Sequence, residues 1–353
     1  MAVNNVVLAP STDPKLFDSF AIGSPKIHCY QRDGGGEDEY EYVMWFSGRD
    51  KATYTGVDEN GNKNEIDGTG GSFGRATSKN GLHWQRAEGS YEELPGVVLG
   101  LNKESWWGFD TAMVELGCVT LPVNTDAVLT ESGIFMCYYH GADHNVDETG
   151  RKGGKCSIGV AVSQDGMSFG RVEGENPDNS ILLPSDDEVS VMYPEVIFDT
   201  STKSFVMFYT AKLSDNTLVI RTATGKDGFK WSKTLKTVAR GSRAAVLSQK
   251  GGGKFTLFYE NDNSIFSMTS EKLVGAYENE KLELSAQEEE DVISIGSPNL
   301  VRDFSGRVRM FYSTRFSDGS SKITLAERER DEENDSQTAW KCTDIKQFEL
   351  EFV

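Results

Sequence analysis

Positive charge is what this chain most lacks. Its 36 lysines and arginines stand against 55 aspartates and glutamates, a formal charge of −19, which repels phosphate backbones and anionic lipid. No nucleic-acid partner is expected. No stretch approaches the roughly 18 consecutive apolar residues of a spanning helix, so no membrane insertion is expected either. The opening text, MAVNNVVLAPSTDP, has neither a basic leader nor a long apolar run, and no secretion signal is read there. The expectation is a cytoplasmic protein, or a processed organellar one, for example from a plastid, expressed from an added Met. Cysteine is sparse and odd in number: Cys29, Cys118, Cys137, Cys156 and Cys342 include no C-x-x-C pair and no zinc-ligand spacing. They read as buried free thiols of a reducing compartment. Only nine prolines accompany 36 glycines, the composition of a packed protein rich in tight turns. Acidic runs at Glu288–Asp291 and Glu327–Asp335 read as solvated loops without function.

No segment carries a convincing helical period. What recurs instead is a short aromatic strand, five times: Met44-Trp45-Phe46-Ser47, Cys137-Tyr138-Tyr139-His140, Met207-Phe208-Tyr209-Thr210, Leu257-Phe258-Tyr259-Glu260 and Met310-Phe311-Tyr312-Ser313. Flanking apolar residues alternate, as in Phe205, Met207 and Tyr209, which is the period of a strand. Each copy is followed by a second strand, beginning at Phe73, Ile158, Ile220, Ile265 and Ile323. In the first three units an Asn-Gly or Asp-Gly turn and an aromatic come next: Trp84, Phe169 and Trp231. Such turns suit hairpins because both central residues accept positive φ, and the aromatic is expected to pack back on its own unit. A third text precedes each aromatic strand: Gly23-Ser24-Pro25, Asp110-Thr111-Ala112, Met192-Tyr193-Pro194, Gly241-Ser242-Arg243 and Gly296-Ser297-Pro298. Three texts in the same order five times predict an all-β fold, a single five-bladed β-propeller of four-stranded antiparallel blades. It would be one domain over residues 1–353, with blades near 17–95, 105–180, 188–238, 240–285 and 292–350. A closed ring removes the sheet edges that an open array would expose.

This order of texts resembles the five-bladed glycoside hydrolases of families 43, 32, 62 and 68, the arabinanases, xylosidases, invertases and levansucrases, over about Phe17 to Glu327. The resemblance implies a pocket on the axis, where paired carboxylates would flank one glycosidic bond. It also implies acids that this chain does not supply. Family 43 usually places them at the start of blades one, three and four, where this chain reads Ser24-Pro25, Tyr193-Pro194 and Gly241-Ser242. Family 32 places them in blades one, two and three, at the positions of Ser24, Thr111 and Tyr193. All five aligned positions, Ser24, Thr111, Tyr193, Ser242 and Ser297, carry hydroxyls. These can bind a polyol or water but have no pKa suited to proton transfer near neutrality.

The nearby acids Asp110, Glu195 and Glu260 are the candidates for relocated catalysis, while Glu115 is expected to lie deep in its strand or beyond the pocket. Of the adjacent Trp106 and Trp107, one ring is expected to face the pocket as a sugar platform, and Trp107 is the candidate. Arg49, His140 and Arg315 are expected at the rim. His140-Gly141-Ala142-Asp143-His144 is not a helical metal pair, and no metal and no cofactor are expected. The function expected is a non-catalytic glycoside-hydrolase-like propeller, a pseudoenzyme binding a saccharide, a polyol or a protein partner. The alternatives are a glycosidase or transglycosylase with relocated carboxylates, and a scaffold without a small ligand.

Overall fold

The computed structural model describes residues 5–31, 40–51, 53–57, 63–67, 71–88, 95–121, 133–145, 155–249, 253–286, 291–303, 306–328 and 340–342. Of the two acidic runs, residues 288–290 and 329–335 lie outside the described residues. Among the described residues there is no helix, and so none long and apolar enough to cross a membrane. Fifteen strands form five antiparallel meanders of three. Unit one is Ala21–Gln31, Tyr40–Arg49 and Ser72–Ser78; unit two is Met113–Thr120, Phe135–Ala142 and Ser157–Ser163. Unit three is Glu188–Asp199, Ser204–Leu213 and Leu218–Gly225; unit four is Ser242–Ser248, Phe255–Asn261 and Ser264–Ser270; unit five is Val292–Arg302, Val308–Phe316 and Ser321–Arg328.

A fourth, outer strand joins units one to four at Gln85–Arg86, Gly170–Val172, Ser232–Lys233 and Glu278–Ser285. In unit five the outer place is shared. Val6–Leu8 and Lys341–Cys342 both pair antiparallel with Ser321–Arg328, so segments from the two ends of the sequence close one sheet. The first strands are innermost. Each contacts the first strand of the next unit, and the first strand of unit five contacts that of unit one.

The aromatic text forms the middle strand of every unit, and its rings fill the core: Trp45, Tyr138, Tyr209, Phe258 and Phe311 are all buried. Each such side chain withdrawn from water stabilises by about 1.5–3 kcal/mol. The Gly turns adopt positive φ, at Gly81 (72°), Gly166 (68°) and Gly228 (80°). The aromatics after them reach farther than expected: Trp84 packs edge-on against Phe311 of unit five, and Trp231 against Tyr138 of unit two. The same turns are tied across unit boundaries. The Trp45 indole N–H donates to the Gly166 carbonyl (2.8 Å) and the Tyr138 hydroxyl to the Gly228 carbonyl (3.0 Å). The turn is thus a joint between units, because its unpaired carbonyls need donors once they are buried.

A second repeated device sits before the inner strands. Phe17-Asp18 and Phe109-Asp110 are the same text in units one and two. The rings stack on Phe46 and Tyr139 at 6.0 and 5.6 Å. Gly74 and Gly159 of the third strands leave space for them, since a Cβ at either would overlap the Phe17 or Phe109 ring. The acids reach outward. Asp18 accepts from Arg86 (2.6 Å), Asp110 from Arg171 (2.6 Å), and Glu188 of unit three from Lys233 and Arg221, the last at 2.9 Å. Arg86, Arg171 and Lys233 hold corresponding places on the outer strands, opposite Ala76, Ala161 and Ala223. A buried acid therefore clamps the outermost strand of its unit to the entry of the innermost one.

Candidate functional site

The inner strands open on the axis with a shared irregularity. In units one, three, four and five the pairing skips so that two residues face one aromatic of the middle strand. The first of the two has positive φ: Ser24 (48°), Tyr193 (50°), Arg243 (54°) and Ser297 (52°). Such a bulge bends the strand and re-aims a side chain. A non-glycine residue at positive φ costs on the order of 1–3 kcal/mol, a strain that clusters at functional sites. In unit two the extra residue is Gly117, between Leu116 opposite Tyr139 and Cys118 opposite Tyr138.

This register corrects the alignment drawn from sequence. The residue equivalent to Ser24 is Leu116 in unit two, not Thr111, and Arg243 in unit four, not Ser242. The ring of five hydroxyls therefore does not exist. Thr111 instead donates to the Gly108 carbonyl (3.2 Å), and Ser242 is buried in the strand pair. Asp110 corresponds to Asp18, five residues before Glu115 and Gly23 respectively, and neither acid is among the lining residues. Its carboxylate is filled by the Tyr139 hydroxyl (2.8 Å), Arg171 Nε (2.6 Å) and Asn102 Nδ2 (3.0 Å), which makes it a structural clamp.

The bulges surround a cavity of about 200 Å³ lined by Ser24, Arg49, Glu115, Tyr193, Arg243, Ser297 and Arg315, among others. Five of the expected residues, Ser24, Arg49, Tyr193, Ser297 and Arg315, meet there. Glu115, expected deep in its strand or beyond the pocket, and Arg243, not singled out from the sequence, both line the cavity. Glu115 Oε1 accepts from the Ser24 hydroxyl (2.8 Å) and from Arg243 (3.2 Å). Arg243 also donates to the Tyr193 hydroxyl (2.7 Å) and to Glu260 (3.3 Å), and its guanidinium lies over the Tyr193 ring at 3.9 Å. Behind it Glu260 takes two hydrogen bonds from Arg315 (2.8 and 3.1 Å) and one from the Ser297 N–H (3.1 Å). Gly296 lets this carboxylate in, because a Cβ there would overlap it.

His140 is buried beneath the lining. Its ring meets Tyr193 edge-on at 4.5 Å and Nδ1 accepts the Tyr193 N–H (3.3 Å), so it orients the bulge. Burial lowers its pKa to about 4, leaving a neutral imidazole near pH 7. One layer farther along the strands Glu195 is ion-paired with Lys26 across the axis (2.9 Å) and is not among the lining residues. Trp107 is not among them either. It is 49% exposed and stands edge-on to Trp106, itself 72% exposed.

Electrostatics set the chemistry. Burial pushes Glu115 up, but Arg243, aided by His140 and Arg49, outweighs it and holds the carboxyl at about 2. Burial likewise opposes ionisation of Glu260, and Arg243 and Arg315 reverse it, leaving its pKa lowered. Both acids are fixed anions near neutrality. Among the described residues no cluster of His, Cys, Asp or Glu could hold a metal ion.

No protein-family model matches the chain, and no curated protein matches it. Solved structures do. A thermostable family-43 glycoside hydrolase aligns over 93% of this chain and 95% of its own, at 14% identity and a TM-score of 0.61. A family-32 β-fructofuranosidase of Bombyx mori, solved with sucrose, aligns over 96% and 66% (11%, 0.58). An N-acetylgalactosamine deacetylase from F. plautii aligns over 92% and 94% (14%, 0.53). The chain therefore has the β-propeller fold found in glycoside hydrolases of families 43 and 32.

Proposed function

We propose that the chain is a single five-bladed propeller, with its five units as blades, and a non-catalytic member of this fold that binds a small polyhydroxylated ligand in the axial cavity. The cycle of contacts among the five inner strands supports the blade count. The observation that carries the functional reading is the state of the acids. Glycoside hydrolysis needs one carboxylic acid protonated near neutrality and a second carboxylate across the bond. Glu115 and Glu260 are both held ionised by arginines, while Asp110 and Glu195 are spent on Arg171 and Lys26. Each of the four carboxylates is thus engaged by a cationic partner, and none is left free to serve as the proton donor.

The cavity can still bind. Glu115 Oε2 makes no hydrogen bond to a described residue and can accept from a ligand hydroxyl; the Ser297 hydroxyl is also unused by the described residues. At about 200 Å³ the space falls below the roughly 300–1,000 Å³ of drug-sized sites, which favours one sugar ring over an oligosaccharide. The test is a calorimetric screen of monosaccharides and polyols beside a hydrolysis screen of aryl furanosides and pyranosides. Binding that is lost in Glu115→Ala, with no turnover above background, is expected. Turnover abolished by Glu115→Gln would overturn the non-catalytic reading.

A further inference from the structure

Three guanidinia, Arg49, Arg243 and Arg315, line the cavity, against the two carboxylates Glu115 and Glu260. One positive charge is left over, in a protein whose sum is −19. The three arginines are not equivalent. Arg315 is bound at both ends by Glu260, and Arg243 is divided among Glu115, Glu260 and Tyr193. Arg49 stands exposed at the end of its strand, and its guanidinium has no hydrogen-bond or ion-pair partner among the described residues. The uncompensated charge is thus the one that a ligand can reach. Across from it, Glu115 Oε2 and the Ser297 hydroxyl remain open to neutral hydroxyl groups.

Resting on the binding reading above, we infer that the ligand is an acidic sugar: a polyhydroxylated monosaccharide-sized molecule whose carboxylate or phosphate docks on Arg49 while its hydroxyls meet Glu115 and Ser297. The planar guanidinium fork matches either oxyanion through two parallel hydrogen bonds. The acidic surface does not forbid this, because at physiological ionic strength charges beyond about 8 Å are largely screened, whereas a contact pair in the cavity is not. The repulsion from the rest of the protein makes the local excess meaningful, since without Arg49 the two remaining guanidinia are already engaged by Glu115 and Glu260 and an anion would meet no free cation.

The test is titration calorimetry with matched ligands: glucose, glucuronate and glucose 6-phosphate, and arabinose, arabinuronate and arabinose 5-phosphate. The charged form is expected to bind at least about tenfold more tightly than its neutral parent, the scale of one charge-assisted pair, and whether carboxylate or phosphate gains more identifies the oxyanion. In Arg49→Gln that ratio should fall close to one. In Arg240→Gln, at an exposed arginine outside the cavity, it should stay. A neutral sugar binding as tightly as its acid overturns the anion assignment and leaves the binding reading intact. A ratio that collapses equally in both variants overturns the docking role of Arg49, since the effect would then belong to the protein's overall field. No binding by any ligand of either set overturns the binding reading, and this inference with it.

Discussion

Replacing Asp110 by Asn decides whether that acid works on a substrate or on the fold. Its carboxylate receives three donors: Tyr139 and Arg171 on Oδ2, Asn102 on Oδ1. An amide of the same shape offers one acceptor oxygen, so its NH2 must confront a donor on one side whichever way it is turned. The substitution also strips the charge from a side chain that is almost wholly buried, and takes the Asp110 charge away from Arg171, 24% exposed. Breaking a buried pair in this way costs about 3–5 kcal/mol. Urea denaturation followed by tryptophan fluorescence reads it as a shift in midpoint at constant slope. The repeat supplies the control: Asp18→Asn and Glu188→Gln remove the corresponding clamps and should destabilise on the same scale. None of the three should alter ligand affinity in protein that remains folded. If Asp110→Asn shifted the midpoint by less than about 0.5 kcal/mol, within the range of ordinary surface substitutions, yet abolished binding or turnover, the clamp assignment would fall.

Glu115→Gln should flatten the acid limb of stability. The folded pKa of Glu115 is lowered from 4.5 to about 2, so its contribution is fully present above the unfolded value and lost as pH falls through the folded one; it amounts to about 3 kcal/mol. The stability difference between wild type and variant should therefore shift by about 2 kcal/mol against wild type between roughly pH 6 and 3, and parallel curves in urea titrations at both pH values would refute it. Gly296→Ala should expel Glu260 from its contacts with Arg315 and the Ser297 N–H, lowering stability by about 2–4 kcal/mol; an unchanged midpoint would show that the carboxylate can be rehoused. Tyr193→Phe removes the acceptor of Arg243 (2.7 Å) but keeps the ring beneath the guanidinium. A loss of about 1–2 kcal/mol is expected, read by the same denaturation, and no loss in Tyr193→Phe beside a large one in Tyr193→Ala would place the energy in the stacking instead.

The middle strands were legible in the sequence because their aromatic residues alternate, and a period of two needs no tertiary information to be read. The inner strands were legible only in part, since the short texts before the aromatic strands set Ser24, Tyr193 and Ser297 in register but not the residues of units two and four. In unit four the alignment slipped by one residue, and a one-residue slip on a strand exchanges its faces; Ser242 was taken where Arg243 stands. In unit two it slipped by five, although Phe17-Asp18 and Phe109-Asp110 carried the true alignment and would have set Glu115 beside Gly23 at the cavity. Counting from Asp110 instead put Glu115 out of reach.

The remainder of the site leaves no local trace. Arg243 and Glu115 are 128 residues apart, and the bulges that bring them together place Ser, Tyr, Arg and Ser at positive φ where a turn would ordinarily use glycine. Residue-by-residue preference points away from that conformation. It persists because neighbours hold it: the Ser24 N–H is received by Ser313 (3.1 Å), that of Tyr193 by His140 (3.3 Å), that of Arg243 by Thr210 (3.0 Å) and that of Ser297 by Glu260 (3.1 Å). Each acceptor is a middle-strand residue at the same step of the repeat in the preceding unit, unit five standing before unit one, so the neighbouring unit supplies a partner that no single unit could supply alone. Sequence rules fail at these four positions for a physical reason: local strain is tolerated where the assembled fold satisfies it and a cavity gains a side chain aimed into it.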